Sequence, residues 1–305
     1  MFYLTPGEKN NLAAICSGFD GAVPGELRGW NHADGPLRPA ADLNLSLRDV
    51  ANKYCDTLRD LYLSRKNKIK FSPNPLMLEG WMVQEVLHSV ITRAKRIIYS
   101  KNPEEALNIL EASGIRDGAF INKKRIKLSE EDYLRINGNL TVLWNREYAL
   151  ISARLQELLA LKDDLSEDAI VMRSVPLMPD VRYGGLKLGL SDIIETDVLL
   201  SGTLTPLDIK FGTRRDFHRL FTAGSALVME CETGVPVNAG ITLYIRFNGE
   251  GEPEIEKDIY PIDAGLRQAF IKERDERTEM LQKKAGPPVS SSCYNICPFF
   301  TVCNK

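Results

Sequence analysis

Apolar residues fall at helical spacing through the first half of the chain and gather into short β-rich runs in the second half. Val83, Val86, Leu87, Val90, Ala94 and Ile97 recur three or four positions apart, which predicts a helix from about Leu76 to Tyr99. Upstream, Ser46-Leu47-Arg48-Asp49 has the form of a capping box, in which a serine and a carboxylate three residues on satisfy free backbone donors. It predicts a helix to about Arg65 that carries Cys55. Ser72, Pro73 and Pro75 break the chain between these two helices. Asn102-Pro103 opens a further helix, and Ser129-Glu130-Glu131-Asp132 another, leading to a long helical stretch through Leu161. The first 45 residues are rich in Gly and Pro and read as an irregular arm with at most one short helix.

The pattern changes near Asp168. Residues 169–175, 186–200 and 203–210 are rich in Val, Ile, Leu and Thr, and Gly184-Gly185 and Ser201-Gly202 punctuate them. They predict three strands, the last two joined as a hairpin. A helix over 216–232, a strand over 237–247 and an amphipathic helix over 262–284 follow. A helical first half ahead of strands that alternate with helices predicts an α/β core. The chain divides into an arm and helix (1–75), a helical region plus core (76–285) and a cysteine-rich tail (286–305).

Composition adds little to that picture until the cysteines are counted. The 305 residues are 44% hydrophobic and 26% charged, which is ordinary for a globular protein. A formal net charge of -2 supplies no global basic field, so any contact with nucleic acid must come from local patches. No apolar run approaches the roughly 18 residues needed to span a bilayer, and Met1-Phe2-Tyr3-Leu4-Thr5-Pro6 lacks the regions of a signal peptide. The expectation is a cytoplasmic protein without a membrane partner. In that reducing compartment, clustered cysteines read as metal ligands rather than disulfides. Three of the six fall in the last 13 residues, as Cys293, Cys297-Pro298 and Cys303, while Cys16, Cys55 and Cys231 are scattered. Four thiolates complete either a zinc or an iron–sulfur site, and the spacing suits both equally.

Asp208-Ile209-Lys210 ends a predicted strand. Strand alternation puts Asp208 and Lys210 on one face, where a carboxylate and an ammonium can hold a divalent ion and orient a water. The preceding strand offers Asp192 and Asp197, and hairpin pairing brings one of them beside Asp208, giving hard oxygen ligands for Mg²⁺ or Mn²⁺. His88, on the helix after Glu79-Gly80-Trp81, is either a half-buried helix histidine or an imidazole ligand. For phosphate neutralisation the candidates are Arg214 and Arg215, and the run Lys123, Lys124, Arg125 and Lys127.

Taken together, these segments resemble the CRISPR-associated Cas family-four exonucleases, in their archaeal-type subgroup of the RecB-like PD-(D/E)xK nucleases. Glu26-Leu27-Arg28-Gly29-Trp30 and Tyr54-Cys55-Asp56-Thr57-Leu58-Arg59-Asp60-Leu61-Tyr62 are similar to the subgroup's N-terminal signature. Leu188-Gly189-Leu190-Ser191 and Asp208-Ile209-Lys210 look like its catalytic strands. His218-Arg219-Leu220 with Glu230 looks like the helix that follows, and Cys297 through Cys303 like the tail. The resemblance implies a restriction-endonuclease-like core whose chain ends are joined by a 4Fe-4S cluster on Cys55, Cys293, Cys297 and Cys303, with Cys16 as the substitute for Cys55. It implies Mn²⁺ or Mg²⁺ on His88, Asp208, the Ile209 carbonyl and either Asp192 or Asp197, with Lys210 as catalytic lysine. The implied partners are DNA ends and the CRISPR integrase complex, with self-association left open, and the implied task is processing DNA precursors for spacer acquisition. Two features depart from the pattern: Phe221 and Ser225 stand where a Q-x-x-x-Y motif is usual, and Cys293-x3-Cys297 is one residue longer than the common spacing.

Overall fold

The arm is more ordered than its Gly and Pro content predicts. In the computed structural model, which describes residues 3–18, 21–71, 73–115, 119–121, 128–161 and 165–304, α1 (Pro6–Gly18) is followed by two single 3-10 turns, Gly25–Leu27 and Gly29–Asn31. The capping box at Ser46 and Asp49 forms as expected and opens α2 (Leu47–Ala51). This helix is short. The chain becomes extended at Asn52 and re-enters helix only at α3 (Arg59–Arg65), after Leu58 takes a left-handed conformation. The single helix predicted to Arg65 is therefore two, and Cys55 lies in the loop between them. Tertiary contacts explain the break: Arg277 donates to the Asn52 carbonyl, and Lys53 pairs with Glu273, drawing the loop onto a distant helix.

The helices that follow begin where their caps predict. Asn74 accepts from Met77 N at the start of α4 (Pro75–Ser100), Asn102 from Glu105 N at α5 (Pro103–Gly114), and Ser129 from Asp132 N at α6 (Glu130–Ala160). Ser166 caps α7 (Glu167–Ser174) in the same way. That helix takes the stretch 169–175 read as a strand: capping wins over a short β-branched run, and the strand starts just beyond it.

Five strands follow in chain order: β1 (Leu177–Gly184), β2 (Ile193–Leu200), β3 (Thr205–Phe211), β4 (Ala239–Phe247) and β5 (Pro253–Pro261). Residues 186–192, read as part of one long strand, form a 3-10 turn (Leu186–Leu188) and a loop instead. The strands form one mixed sheet in the order β1-β2-β3-β4-β5, antiparallel throughout except for the parallel pair β3 and β4. The hairpin of β2 and β3 is present. The parallel step is bridged by α8 (Arg219–Thr233), which follows a 3-10 turn at Asp216–His218. Strand β5 was unexpected because Glu254, Glu256, Lys257 and Asp258 hide the apolar alternation; it is an edge strand, where charge is tolerated. The chain ends with α9 (Ala264–Gln282) and a short turn of helix, α10 (Phe300–Cys303).

Helices cover both faces of the sheet. On one side Leu207, Ile209, Ile241, Leu243 and Ile245 pack with Leu87, Val90 and Ile91 of α4 and Leu140 and Leu143 of α6. On the other, Leu199 shares a core with Phe221, Leu227 and Val228 of α8 and with Phe270 of α9. The arm is fastened to this second layer. Gly29 lies so close to α8 that an added Cβ would meet the Leu227 carbonyl, and Arg28 pairs with buried Glu230 at 2.8 Å. Among the described residues, no helix is long and apolar enough to cross a membrane.

Candidate functional site

The ladder between β2 and β3 has three pairs and ends at Val198 opposite Leu207. One step further in that register come Asp197 and Asp208. At this point side chains take over from the backbone: Asp197 Oδ2 accepts from Ile209 N at 3.3 Å, and Asp208 sits fully buried on the α8 face. Lys210, two residues on and on the same face, has its Nζ 3.0 Å from Asp208 Oδ1 and 2.9 Å from Oδ2. Only the first contact has hydrogen-bond geometry, so Asp208 Oδ2 is a buried oxygen without a hydrogen-bond partner. Burial drives the Asp208 carboxyl upward, Lys210 opposes this, and nearby Asp197 adds to it, for a value of about 7. Two acidic groups and one ammonium thus share a largely buried site, and the exposed Arg48 reaches Asp197 Oδ1 from outside at 3.6 Å.

Position α4 supplies a residue that sequence reasoning missed. The Gln84 amide donates to Asp197 Oδ2 at 3.0 Å and to the Ile209 carbonyl at 2.9 Å, so it bridges two oxygens of the cluster. Gly80, one turn earlier, lets α4 approach β3; a Cβ there would stand 3.1 Å from that of Phe211. His88 is one turn later, and its Nδ1 faces Asp180 Oδ1 at 3.0 Å, while its buried Nε2 has no hydrogen-bond partner. Asp180 belongs to β1, at the place opposite Asp197 in the β1–β2 register, with a positive φ of 54°. The one available signal for Gln84 was its i, i−4 relation to His88 on the face of α4 that meets the sheet.

The structure therefore brings Asp197, Asp208, Lys210 and the Ile209 carbonyl together. Asp192 is exposed in the loop before β2 and is not part of this group. His88 pairs instead with Asp180, which lies opposite Asp197 in the β1–β2 register. Among the described residues, no three His, Cys, Asp or Glu side chains form a ready-made metal cage. The donor set that is present, two buried carboxylates and a carbonyl with one carboxylate oxygen left over, consists of hard oxygens and suits Mg²⁺ or Mn²⁺.

Lys210 is flanked by aromatic rings. Its Nζ lies 5.1 Å from the Phe221 ring centre, and His218 sits beside it, buried against Tyr244 and Phe217. Burial, reinforced by Lys210 and Arg215, lowers the His218 pKa to about 3, so the imidazole is neutral. Tyr54, from the loop that carries Cys55, meets His218 Nε2 through its hydroxyl at 2.9 Å. Of the predicted DNA contacts, Arg214 is tied to Asp258 at 3.1 Å, whereas Arg215 is exposed at the cap of the 3-10 turn. The run containing Lys123, Lys124, Arg125 and Lys127 lies outside the described residues.

The segment after the Cys55 loop meets the C-terminal tail. Arg59 donates to the Pro287 carbonyl at 2.6 Å, Tyr62 to the Lys284 carbonyl at 3.0 Å, and Asn74 to the Ile296 carbonyl at 2.9 Å. Phe71 packs edge-on against Phe299. Burial raises the Cys297 thiol pKa, and Cys293, Asp60 and Cys55 are near enough to raise it further. All six cysteines are free thiols. Cys16 is elsewhere: it packs on the first core layer, and its carbonyl accepts from Asn238. Cys231 lies near Lys187 and Glu232 on the other layer.

Comparison with known proteins gives the family. A family model described as CRISPR-associated exonuclease Csa1 matches residues 12–305. The chain is 27% identical over 282 residues to the CRISPR-associated exonuclease Csa1 of Saccharolobus solfataricus, covering 92% of each protein. It is 28% identical over 283 residues to the protein of the same name from Thermoproteus tenax, covering 93% of this chain and 92% of that one.

Proposed function

The chain belongs to the Csa1 family of CRISPR-associated exonucleases, and from that premise we propose that it hydrolyses DNA phosphodiesters at the cluster of Asp197, Asp208 and Lys210. The observation that carries this reading is the pair of buried carboxylates meeting one lysine where the β2–β3 ladder ends. In the proposal the core is of the restriction-endonuclease-like, PD-(D/E)xK type. Asp197, Asp208 and the Ile209 carbonyl would hold Mn²⁺ or Mg²⁺, and Gln84 would yield its bridging position or contribute its own oxygen. A bound ion of this kind polarises a phosphate and lowers the pKa of a coordinated water. Lys210, held in place by Asp208 and backed by Phe221, orients the attacking water and faces the phosphate as it gains negative charge. The water oxygen bonds to phosphorus and gives up a proton to solvent as one ester P–O bond breaks, and the departing oxygen takes up a proton from solvent. Lys210→Ala protein that still cleaved single-stranded DNA with Mn²⁺ at the wild-type rate would sink this mechanism.

We further propose that Cys55, Cys293, Cys297 and Cys303 hold a 4Fe-4S cluster that clamps the two ends of the chain. What supports it is the set of hydrogen bonds tying 59–74, next to the Cys55 loop, to 284–296, in the tail that carries the other three cysteines. Such a cluster supplies four iron–thiolate bonds across the junction. Anaerobically purified protein should be brown, with visible thiolate-to-iron charge-transfer absorbance; colourless protein with stoichiometric zinc would replace the cluster by a zinc staple. In this reading the enzyme trims DNA precursors for CRISPR spacer acquisition beside the integrase complex.

A second reading has one specific observation in its favour. Phe221 occupies the place of an expected glutamine and covers one side of Lys210. A protein that binds DNA ends with little hydrolysis fits that substitution, and tight binding without Mn²⁺-dependent cleavage would favour it.

A further inference from the structure

We propose that Tyr54 is a base-stacking residue for single-stranded DNA entering the Asp197–Asp208–Lys210 site, an inference that rests on the nuclease reading above. Tyr54 is 62% exposed as a residue, yet its hydroxyl end is buried and the ring is not free to move. Its hydroxyl is hydrogen-bonded to His218 Nε2 at 2.9 Å, and its edge rests on Phe217 at 5.1 Å between ring centres, with planes at 88°. His218 is itself buried and wedged between Phe217 and Tyr244, at 4.8 Å and 5.6 Å. Holding a large exposed ring in one orientation costs side-chain entropy without the return of burying it. A bound partner on its open face supplies that return.

The surroundings specify the partner. His218, which holds the Tyr54 hydroxyl, packs on Tyr244, and Tyr244 pairs with Lys210 across β3 and β4, so the ring stands beside the catalytic cluster. Arg215 is exposed and makes no ion pair among the described residues, which leaves its charge available for a phosphate. A fixed aromatic face beside an uncommitted cation is the combination that tracks a single strand: the base stacks and the backbone is neutralised. Bases within a duplex are already stacked and offer no open face. The occupant is therefore an unpaired nucleobase next to the phosphate at Lys210.

The test uses the full-length protein in metal-free buffer and single-stranded oligonucleotides carrying 2-aminopurine near one end or the other. Wild-type protein should quench the probe strongly at one position. Tyr54→Leu should lose that quenching and bind about 5- to 150-fold more weakly, the equivalent of one stacked base. The slope of log affinity against log salt should not change in this variant, because no phosphate contact is removed, whereas Arg215→Ala should flatten it by about 0.7. Tyr54→Phe and Tyr54→Trp keep the ring and should retain quenching. If Tyr54 only tethers the Cys55 loop through its hydroxyl, Tyr54→Phe will fail as Tyr54→Leu does, and the proposal is overturned. It is equally overturned, with the nuclease reading intact, by an active wild-type enzyme whose Tyr54→Leu form keeps native melting, affinity and quenching. Tyr54-dependent quenching by a protein that never cuts DNA with Mn²⁺ would remove the nuclease reading and leave the stacking site standing.

Discussion

Near the C-terminal end of α8, Glu230 is buried and its carboxylate is saturated. Oε1 accepts from Arg28, Arg267 and Val237 N at 2.8, 2.9 and 2.9 Å, and Oε2 from Gly29 N and Arg267 at 2.9 and 2.8 Å. Near the other end, Asp208 is equally buried but has one lysine for a partner, a second carboxylate for a neighbour, and an oxygen with no hydrogen bond. Both are buried charge, and buried charge is costly unless it is paired. The first site meets that requirement within the chain and so locks the arm to the core. The second meets it only in part, and the proposed function assigns the remaining carboxylate oxygen to a divalent cation. The contrast separates a motif that holds the fold, Glu26-Leu27-Arg28-Gly29-Trp30, from one proposed to do chemistry, Asp208-Ile209-Lys210.

The largest effect should come from breaking the saturated site. Glu230→Ala removes the buried carboxylate that Arg28 and Arg267 share, at a cost of about 3–5 kcal/mol. Thermal melting should drop sharply and the arm should become sensitive to protease; an unchanged melt would mean that the network does not hold the arm. Lys210→Ala should do the reverse. Cleavage should fall about 10²–10³-fold, while the melting temperature stays near that of the wild type.

Titration distinguishes the second site further. In metal-free protein, Asp208 keeps a proton that the unfolded chain releases near pH 4, so its contribution to stability is full below about pH 4 and is lost as the pH rises through about 7. His218, lowered to about 3, works in the opposite sense: its contribution is full above about pH 6.5 and is lost as the pH falls toward 3. The two slopes oppose each other in the overlapping window. Asp208→Asn should therefore unmask a stability that rises with pH between about 3 and 6.5, and His218→Gln one that falls between about 4 and 7. Urea midpoints taken across that range read both signs, and matching slopes in the two variants would contradict the assignment.

The smallest effect belongs to Gln84. Gln84→Ala removes two hydrogen bonds and should cost about 1 kcal/mol of stability. Gln84→His puts an imidazole, a ligand suited to transition metals, beside Asp197 and should tighten Mn²⁺ binding more than Mg²⁺ binding, as measured by calorimetry. Equal effects on both ions would mean that Gln84 does not face the metal.

Much of this was legible in the residues. The caps at Ser46, Asn102 and Ser129 opened helices at the expected places, the apolar spacing of α4 held, and the hairpin of β2 and β3 formed where β-rich runs met at Ser201-Gly202. These are local features, governed by chain stereochemistry and by which face must be buried, and a sequence carries them. Other outcomes were decided by contacts between distant segments. The loop at 52–58 exists because Arg277 and Glu273 hold it, and β5 exists because β4 needed a partner on that edge.

The candidate site divides in the same way. Spacing alone determined that Asp208 and Lys210 share a face, since alternation along a strand allows nothing else. Whether Asp192 or Asp197 joins them depended on where the β2–β3 ladder stops, and whether His88 or Gln84 reaches them depended on how closely Gly80 lets α4 approach β3. Register and helix approach are set by packing over the whole sheet. Only the folded chain could decide them, because a shift of one strand residue or one helix turn puts a different side chain at the cluster.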